Sequence, residues 1–267
     1  MEKDFIQKLF SLEGKVAIVT GGAGRLGFQH IEALHNAGAE VVSFDVVKNE
    51  ALDGIAEQKV VDVSNPAEVK KAVDAVAKRH GGIDILINNA ALNPRTTSTD
   101  PEMAKMFSPY EDYPPELWNK ELAVGLSGAQ FCIQAVVPHM MKKGSGSIVN
   151  VASTSAITAP QHSKYESGKY KSAGYPTVKA ALLGLTRAWA SYFAARSLGI
   201  RVNTVSFGSV NFGKKSPESL AKLGERTMLG RPAAPNEYQG VIVFLCSEAA
   251  AFITASNLIA DGGQTAW

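Results

Sequence analysis

Two Tyr-x-x-x-Lys pairs lie ten residues apart in this chain, Tyr165/Lys169 and Tyr175/Lys179. A tyrosine and a lysine four apart on a helix share one face, with Cβ atoms about 6 Å apart. An ammonium held there favours the phenolate and draws the phenol down from its usual pKa of about 10. A phenol tuned that way can exchange a proton with a substrate oxygen at neutral pH. The pattern is common by chance, so the flanking sequence decides between the pairs. Around Tyr165 the chain reads QHSKYESGKYKSAG, with two glycines, several lysines and no apolar period, which predicts a loop. After Tyr175, Val178, Ala181, Leu182, Leu185, Trp189 and Tyr192 recur at helical steps, Pro176 suits a first turn, and Gly199 closes the segment. The pair at 175 and 179 is therefore expected on the first turn of a long core-facing helix.

The elements that must position such a helix follow from hydrophobic runs. KVAIVT (15–20), EVVSFD (40–45), a short run ending in VVDV (60–63), DILINN (84–89), SIVNVA (147–152), IRVNTVS (200–206) and SNLIAD (256–261) read as strands. Between them lie helical patterns over 26–37, from Pro66 to about Arg79, 115–142, from Tyr175 onward, and near 236–248. Strands continuous in Val and Ile are buried on both faces, so the sheet is expected to be parallel and covered by helices. The fold class predicted is α/β, one Rossmann-type doubly wound domain over residues 1–267 with an N-terminal arm at 1–13. In such sheets ligands bind beyond the carboxyl ends of the strands.

One of those ends carries TGGAGRLG (20–27), between the first strand and a helix. Glycines allow a sharp turn and close approach of a pyrophosphate, while the helix N-terminus supplies N–H groups and a positive dipole end. Asp45 closes the second strand, where a carboxylate accepts hydrogen bonds from the adenosine ribose hydroxyls and repels a 2′-phosphate. This reads as NAD rather than NADP binding, with Gly21, Gly24, Arg25, Leu26, Gly27 and Asp45 as candidate contacts. Arg25 could meet a phosphate or point to solvent.

Composition narrows the class further. With 267 residues and a net charge of +2, the chain has no strong pull toward nucleic acid or anionic membranes. No apolar run is expected to reach the roughly 18 residues of a spanning helix. The start, MEKDFIQKLF, has no apolar signal core, which predicts a cytoplasmic protein. Cys132 and Cys246 sit in apolar helical stretches and read as buried free thiols. The five histidines show no ligand spacing, so no metal site is expected.

Taken together, the glycine loop, Asp62-Val63, Asn88-Asn89-Ala90-Ala91, Ser153, Tyr175/Lys179, the RVN of 201–203 and the DGG of 261–263 resemble the short-chain dehydrogenase/reductases, over nearly the whole chain. The resemblance implies that Asp62 and Val63 contact adenine, that Asn89, Ala90 and Ala91 line the ribose and nicotinamide, and that Gly208 and Val210 lie beside the nicotinamide. It also implies that Ser153 holds the substrate oxygen, Tyr175 is the acid/base, and Lys179 anchors the ribose and lowers the Tyr175 pKa. The implied reaction is hydride transfer between a nicotinamide and a secondary alcohol or ketone, in a homotetramer or homodimer packed through the helices at 115–142 and 174–198. Three departures stand out: Arg25 where the usual TGxxxGxG has glycine, Gly125 where a catalytic Asn is common, and Phe207 in place of a proline. TGxxGxxG is typical of the family's sugar-nucleotide branch, so an epimerase or dehydratase with a transient keto intermediate stays open, as does a weakly active NAD-binding sensor.

Two segments, 92–116 and 160–174, exceed the family's length by about 12 and about 9 residues and are expected to wall the substrate pocket, with 211–231 as a lid. Residues 161–173 hold three Lys and one Glu, 211–231 five Lys/Arg and two Glu, and 92–116 two basic and five acidic residues. An anionic substrate such as a sugar phosphate fits this balance, with Lys164, Lys169 or Lys171 as its contact.

Overall fold

The computed structural model describes residues 4–93, 100–165, 167–213 and 216–267. Its strands are β1 (Val16–Thr20), β2 (Glu40–Asp45), β3 (Glu57–Val60), β4 (Ile85–Asn88), β5 (Gly146–Val151), β6 (Ile200–Phe207) and β7 (Asn257–Ala260). They form one parallel sheet in the order β3-β2-β1-β4-β5-β6-β7. The winding reverses between β1 and β4, which puts the topological switch point directly beyond Thr20 and Asn88.

The helices are α1 (Phe5–Phe10), α2 (Arg25–Asn36), α3 (Pro66–His80), α4 (Pro101–Ala104), α5 (Pro115–Leu122), α6 (Gly128–Lys143), α7 (Gly174–Ala195), α8 (Pro217–Gly224) and α9 (Gln239–Cys246). Alternate strand residues feed two cores. Val16, Ile18, Val42 and Phe44 pack with α3, α6 and α7, while Ala17, Val19 and Val41 pack with α2 and α9. Burial on both faces explains why these strands read as unbroken Val/Ile runs. Cys132 and Cys246 are buried free thiols, one in each core, and burial pushes each up to about 12.

Four expectations are corrected. The third strand is EQKV, not a run ending at residue 63, because an edge strand with one covered face need not be apolar. The helix at 115–142 breaks into α5 and α6 around one π-helical turn, Ala123–Ser127. The run Pro115–Lys143, 29 residues long, is long and apolar enough to cross a bilayer by length and composition. Its Cys132, Ile133, Val136 and Met140 nevertheless face the sheet, as in a core helix. On α7 the buried stripe is Val178, Leu182, Thr186, Ala190 and Phe193, so Tyr192 is left exposed on the outer face.

Candidate active site

A cleft of about 850 Å³ opens over the carboxyl ends of the strands at the switch point. Its first wall is the glycine loop. Gly21 has φ of +65°, a left-handed conformation that glycine adopts without strain, and a Cβ there would meet Ala90 Cα at 2.9 Å. A Cβ on Gly27 would overlap the Gly21 carbonyl oxygen, so the first turn of α2 lies flat on the loop. Thr20 Oγ1 accepts the N–H groups of Asn89 and Ala90, and Asn89 Nδ2 donates to the carbonyls of Thr20 and Gly21. These bonds lock the turn after β4 against the loop after β1. Asp45 accepts from Ala23 N–H at 3.0 Å and Val47 N–H at 3.3 Å, which leaves each carboxylate oxygen with acceptor capacity toward the cleft.

The residues present fit a dinucleotide. The loop has room only for backbone, the N-terminus of α2 opens on it, and a carboxylate stands at the end of the neighbouring strand. Gly21, Gly24, Arg25, Leu26, Gly27, Asp45, Asn89, Ala90, Ala91, Gly208 and Val210 all line the cleft. Asp62 and Val63 do not. Asp62 is exposed and turned onto Ser64, and Val63 is buried under Gly128. Arg25 lies over the ring of Phe212, 4.4 Å from its centroid, which ties the glycine loop to the segment after β6.

Beyond this wall Ser153, two residues past β5, lies beside Tyr175, at the start of α7, near enough for its hydroxyl to act on the phenol. Lys179 Nζ lies 5.6 Å from the centre of the Tyr175 ring and donates to the Val151 carbonyl at 2.6 Å. A buried polar chain fixes α7 on the sheet: Asn88 Nδ2 donates to Asn150 Oδ1, Asn150 Nδ2 to Thr186 Oγ1, and Thr186 meets Thr204. Burial lowers the Lys179 ammonium to about 8, with Lys171 adding repulsion. The expected lowering of Tyr175 by Lys179 is not found. Burial pushes that phenol up, and the Ser153 hydroxyl only partly opposes it.

The glycine at 125 has a structural counterpart. It is buried in the π-helical turn, and a Cβ on it would come within 2.6 Å of Val178 Cγ1. The space an asparagine would need is filled by the residue just before Lys179. The ring of Phe207 stacks on Tyr238 with centroids 4.1 Å apart and lies 5.7 Å from His30. His30 is fully buried, neither ring nitrogen has a hydrogen-bond partner, and burial lowers it to about 3.

The two long segments meet each other beside Tyr175. Tyr170 N–H donates to the Phe107 carbonyl, the Phe107 and Tyr165 rings lie 6.3 Å apart, and His162 sits edge-on between Tyr110 and Tyr170. Glu121, only 2% exposed, accepts from Tyr113 through one oxygen and from Ser172 through the other, each at 2.7 Å. Ser172 in turn accepts the N–H of Tyr175. Asn93, Phe107, Tyr165 and Lys171 line the cleft, as do Phe212, Ser219, Lys222, Leu223 and Arg226 from the segment after β6. Lys169 is not in the lining, and the side chain of Lys164 lies outside the described residues. Tyr165 is thus a wall residue on a loop, while Glu121 went unnoticed in the sequence because one acid in a polar helix turn carries no pattern. Among the described residues no cluster of His, Cys, Asp and Glu could hold a metal ion.

A family profile described as enoyl-(acyl carrier protein) reductase matches residues 22–265. The 3-oxoacyl-(acyl-carrier-protein) reductase of Thermotoga maritima is 32% identical over 264 residues, 94% of this chain and 98% of its own length. D-threitol dehydrogenase of Mycolicibacterium smegmatis is 33% identical, over 96% of this chain and 95% of its own. Among solved structures, a gluconate 5-dehydrogenase from Burkholderia cenocepacia in complex with NADP and tartrate superposes with a TM-score of 0.83 at 28% identity, over 98% and 99% of the two chains. The chain belongs to the short-chain dehydrogenase/reductase family. It is a nicotinamide-dependent oxidoreductase acting on CH–OH groups, exchanging hydride with an alcohol or ketone.

Proposed function

We propose that the substrate is a polyhydroxylated secondary alcohol or its ketone, of sugar or sugar-phosphate type, and that NAD is the preferred cofactor. The juxtaposition of Ser153, Tyr175 and Lys179 beyond a glycine loop and Asp45 carries this reading. Ser153 holds the substrate oxygen, Tyr175 exchanges its proton, and Lys179 fixes the nicotinamide ribose. When bound, the nicotinamide supplies the hydride acceptor or donor; the chain's part is orientation and a placed proton. The raised Tyr175 phenol is a ready donor for ketone reduction at neutral pH, whereas alcohol oxidation needs its phenolate and speeds as pH rises. Polar groups around the pair (Asn93, Ser155, Thr158, Gln161, Gln264) suit several hydroxyls. The threitol and gluconate relatives act on such molecules by name. The Asp45 carboxylate supports NAD over NADP, although the gluconate relative was solved with NADP.

We further place the enzyme in the cytoplasm, in keeping with its two buried thiols. A homodimer or homotetramer is supported by Tyr192, exposed on the outer face of α7.

Tyr175→Phe tests the core of the proposal. Turnover of polyols, followed by reduced-nicotinamide absorbance, should fall by about 10² to 10⁴ with cofactor affinity retained. Full activity in that variant would refute the role. Asp45→Ala should bring the affinities for NAD and NADP together.

A further inference from the structure

The cleft beyond the reacting pair carries charge of one sign. Its described walls hold Lys171, Lys222 and Arg226, whereas Asp45, the one acid among the described lining residues, stands beside the glycine loop. Lys222 is exposed and paired with Glu218 one helical turn away. Lys171 and Arg226 have no ion-pair partner among the described residues. The Lys171 ammonium donates to Asn93 Oδ1 at 2.5 Å and sits over the Tyr175 ring, 3.8 Å from its centre. Glu121 attracts it through space, but both Glu121 oxygens are committed to Tyr113 and Ser172. Burial lowers Lys171 to about 8, so at neutral pH it remains a cation, partly stripped of its water. Arg226 is half-buried in the same cleft lining. A half-buried cation whose direct contacts are a neutral amide and an aromatic ring, with no carboxylate paired to it, gains when an anion joins it.

We propose that Lys171, assisted by Arg226 of the same cleft, binds an anionic group, carboxylate or phosphate, carried by the substrate close to the carbon that reacts. Lys171 is then the residue that selects acidic polyols over neutral ones. The proposal rests on the assignment of Tyr175 as the reacting group. Its geometry places the anion one aromatic ring away from the oxygen that exchanges the proton. Of the lysine side chains described in the segment between Ser153 and Tyr175, Lys169 and Lys171, it selects Lys171.

Threitol, threonate and tartrate of matched configuration share two secondary carbinols and differ at their ends, which carry no, one and two carboxylates. Threitol 4-phosphate supplies the phosphate counterpart. Binding of each to the NAD-loaded protein is read by calorimetry in a Tyr175→Phe background, where turnover does not interfere. One charge-assisted contact predicts that the anions bind about 10- to 100-fold tighter than threitol. Lys171→Met should bring that ratio to about one, Lys171→Arg should keep it, and Arg226→Gln should reduce it by less. The larger gain, threonate or threitol 4-phosphate, identifies carboxylate or phosphate as the natural group. Anions binding no tighter than threitol would overturn the proposal. So would equal weakening of threitol and threonate by Lys171→Met, which would make Lys171 a tuner of the Tyr175/Lys179 pair instead. Failure of the catalytic assignment shows separately, as activity surviving Tyr175→Phe while the anion ratio stands.

Discussion

Beside the glycine loop the cleft is shaped by backbone: Gly21 on Ala90, Gly27 on Gly21, and Asn89 bonded to two loop carbonyls. Beside Lys171 it is shaped by side chains from segments with little regular structure, joined through Glu121, Asn93 and a cluster of rings. The first half binds something that does not vary, so the sheet itself can set its dimensions. The second half is assembled from loops whose exchange alters specificity without disturbing the sheet. Changes in the first should therefore cost folding and cofactor affinity together, and changes in the second should act on substrate alone.

The largest expected effect is on the cofactor side and depends on pH. His30 has a folded pKa of about 3 against 6.5 when unfolded, so the native state binds fewer protons between those values. The contribution is full above pH 6.5 and is lost as pH falls toward 3, by roughly 4 kcal/mol at the acid end. Urea midpoints measured from pH 7 to 3 should fall less steeply in His30→Phe than in the parent; parallel slopes would remove His30 from the account. Next comes Gly27→Ala, whose methyl meets backbone that cannot yield. It should cost about 3 kcal/mol in thermal unfolding and weaken NAD by a comparable factor. A variant with parental stability and altered substrate KM only would break the contrast between the halves.

Gly125→Asn probes the boundary. It should destabilise by about 2 kcal/mol through overlap with Val178, and Val178→Ala in the same chain should restore most of the loss. Additive losses in that cycle would mean that the two positions are not fitted to each other. The smallest effect belongs to Glu121→Gln, which keeps the shape but weakens the bonds from Tyr113 and Ser172 by about 1 kcal/mol. Substrate KM should rise several-fold with NAD affinity unchanged. An equal loss of NAD affinity would show that the loop side and the sheet side are not separable.

The same contrast explains what could be read in the sequence. Buried strands need apolar residues on both faces, so β1, β2, β4, β5 and β6 stand out as Val/Ile runs. The glycine loop and Asp45 are legible because tight turns and strand ends restrict residue type, the Tyr175/Lys179 pair because a helical apolar period follows it, and Ser153 through the family resemblance. The edge strand EQKV was misplaced because it escapes that restriction. Gly125 was noticed as a departure, but its filling by Val178 depends on a contact between α7 and the π-helical turn that no local pattern encodes. The direction of the Tyr175 shift also had to come from the structure. A lysine four residues on is visible in the sequence, but the extent of burial and the turning of that lysine toward the Val151 carbonyl are not. Of the loop lysines whose side chains are described, Lys169 and Lys171, it is Lys171 that reaches the tyrosine ring, and the chain passes there through Ser172.

Glu121 joins Tyr113 from one long segment to Ser172 from the other, and a Cβ on Gly174 would collide with the same carboxylate. Neither segment can then be lengthened, trimmed or transplanted by itself, because each is cut to fit an anchor the other also uses. In laboratory recombination with relatives, chimaeras that exchange both segments together with the start of α7 keep this junction whole. Those that exchange one leave a buried carboxylate with half its hydrogen bonds. The substrate range of such an enzyme would diversify in paired steps rather than loop by loop.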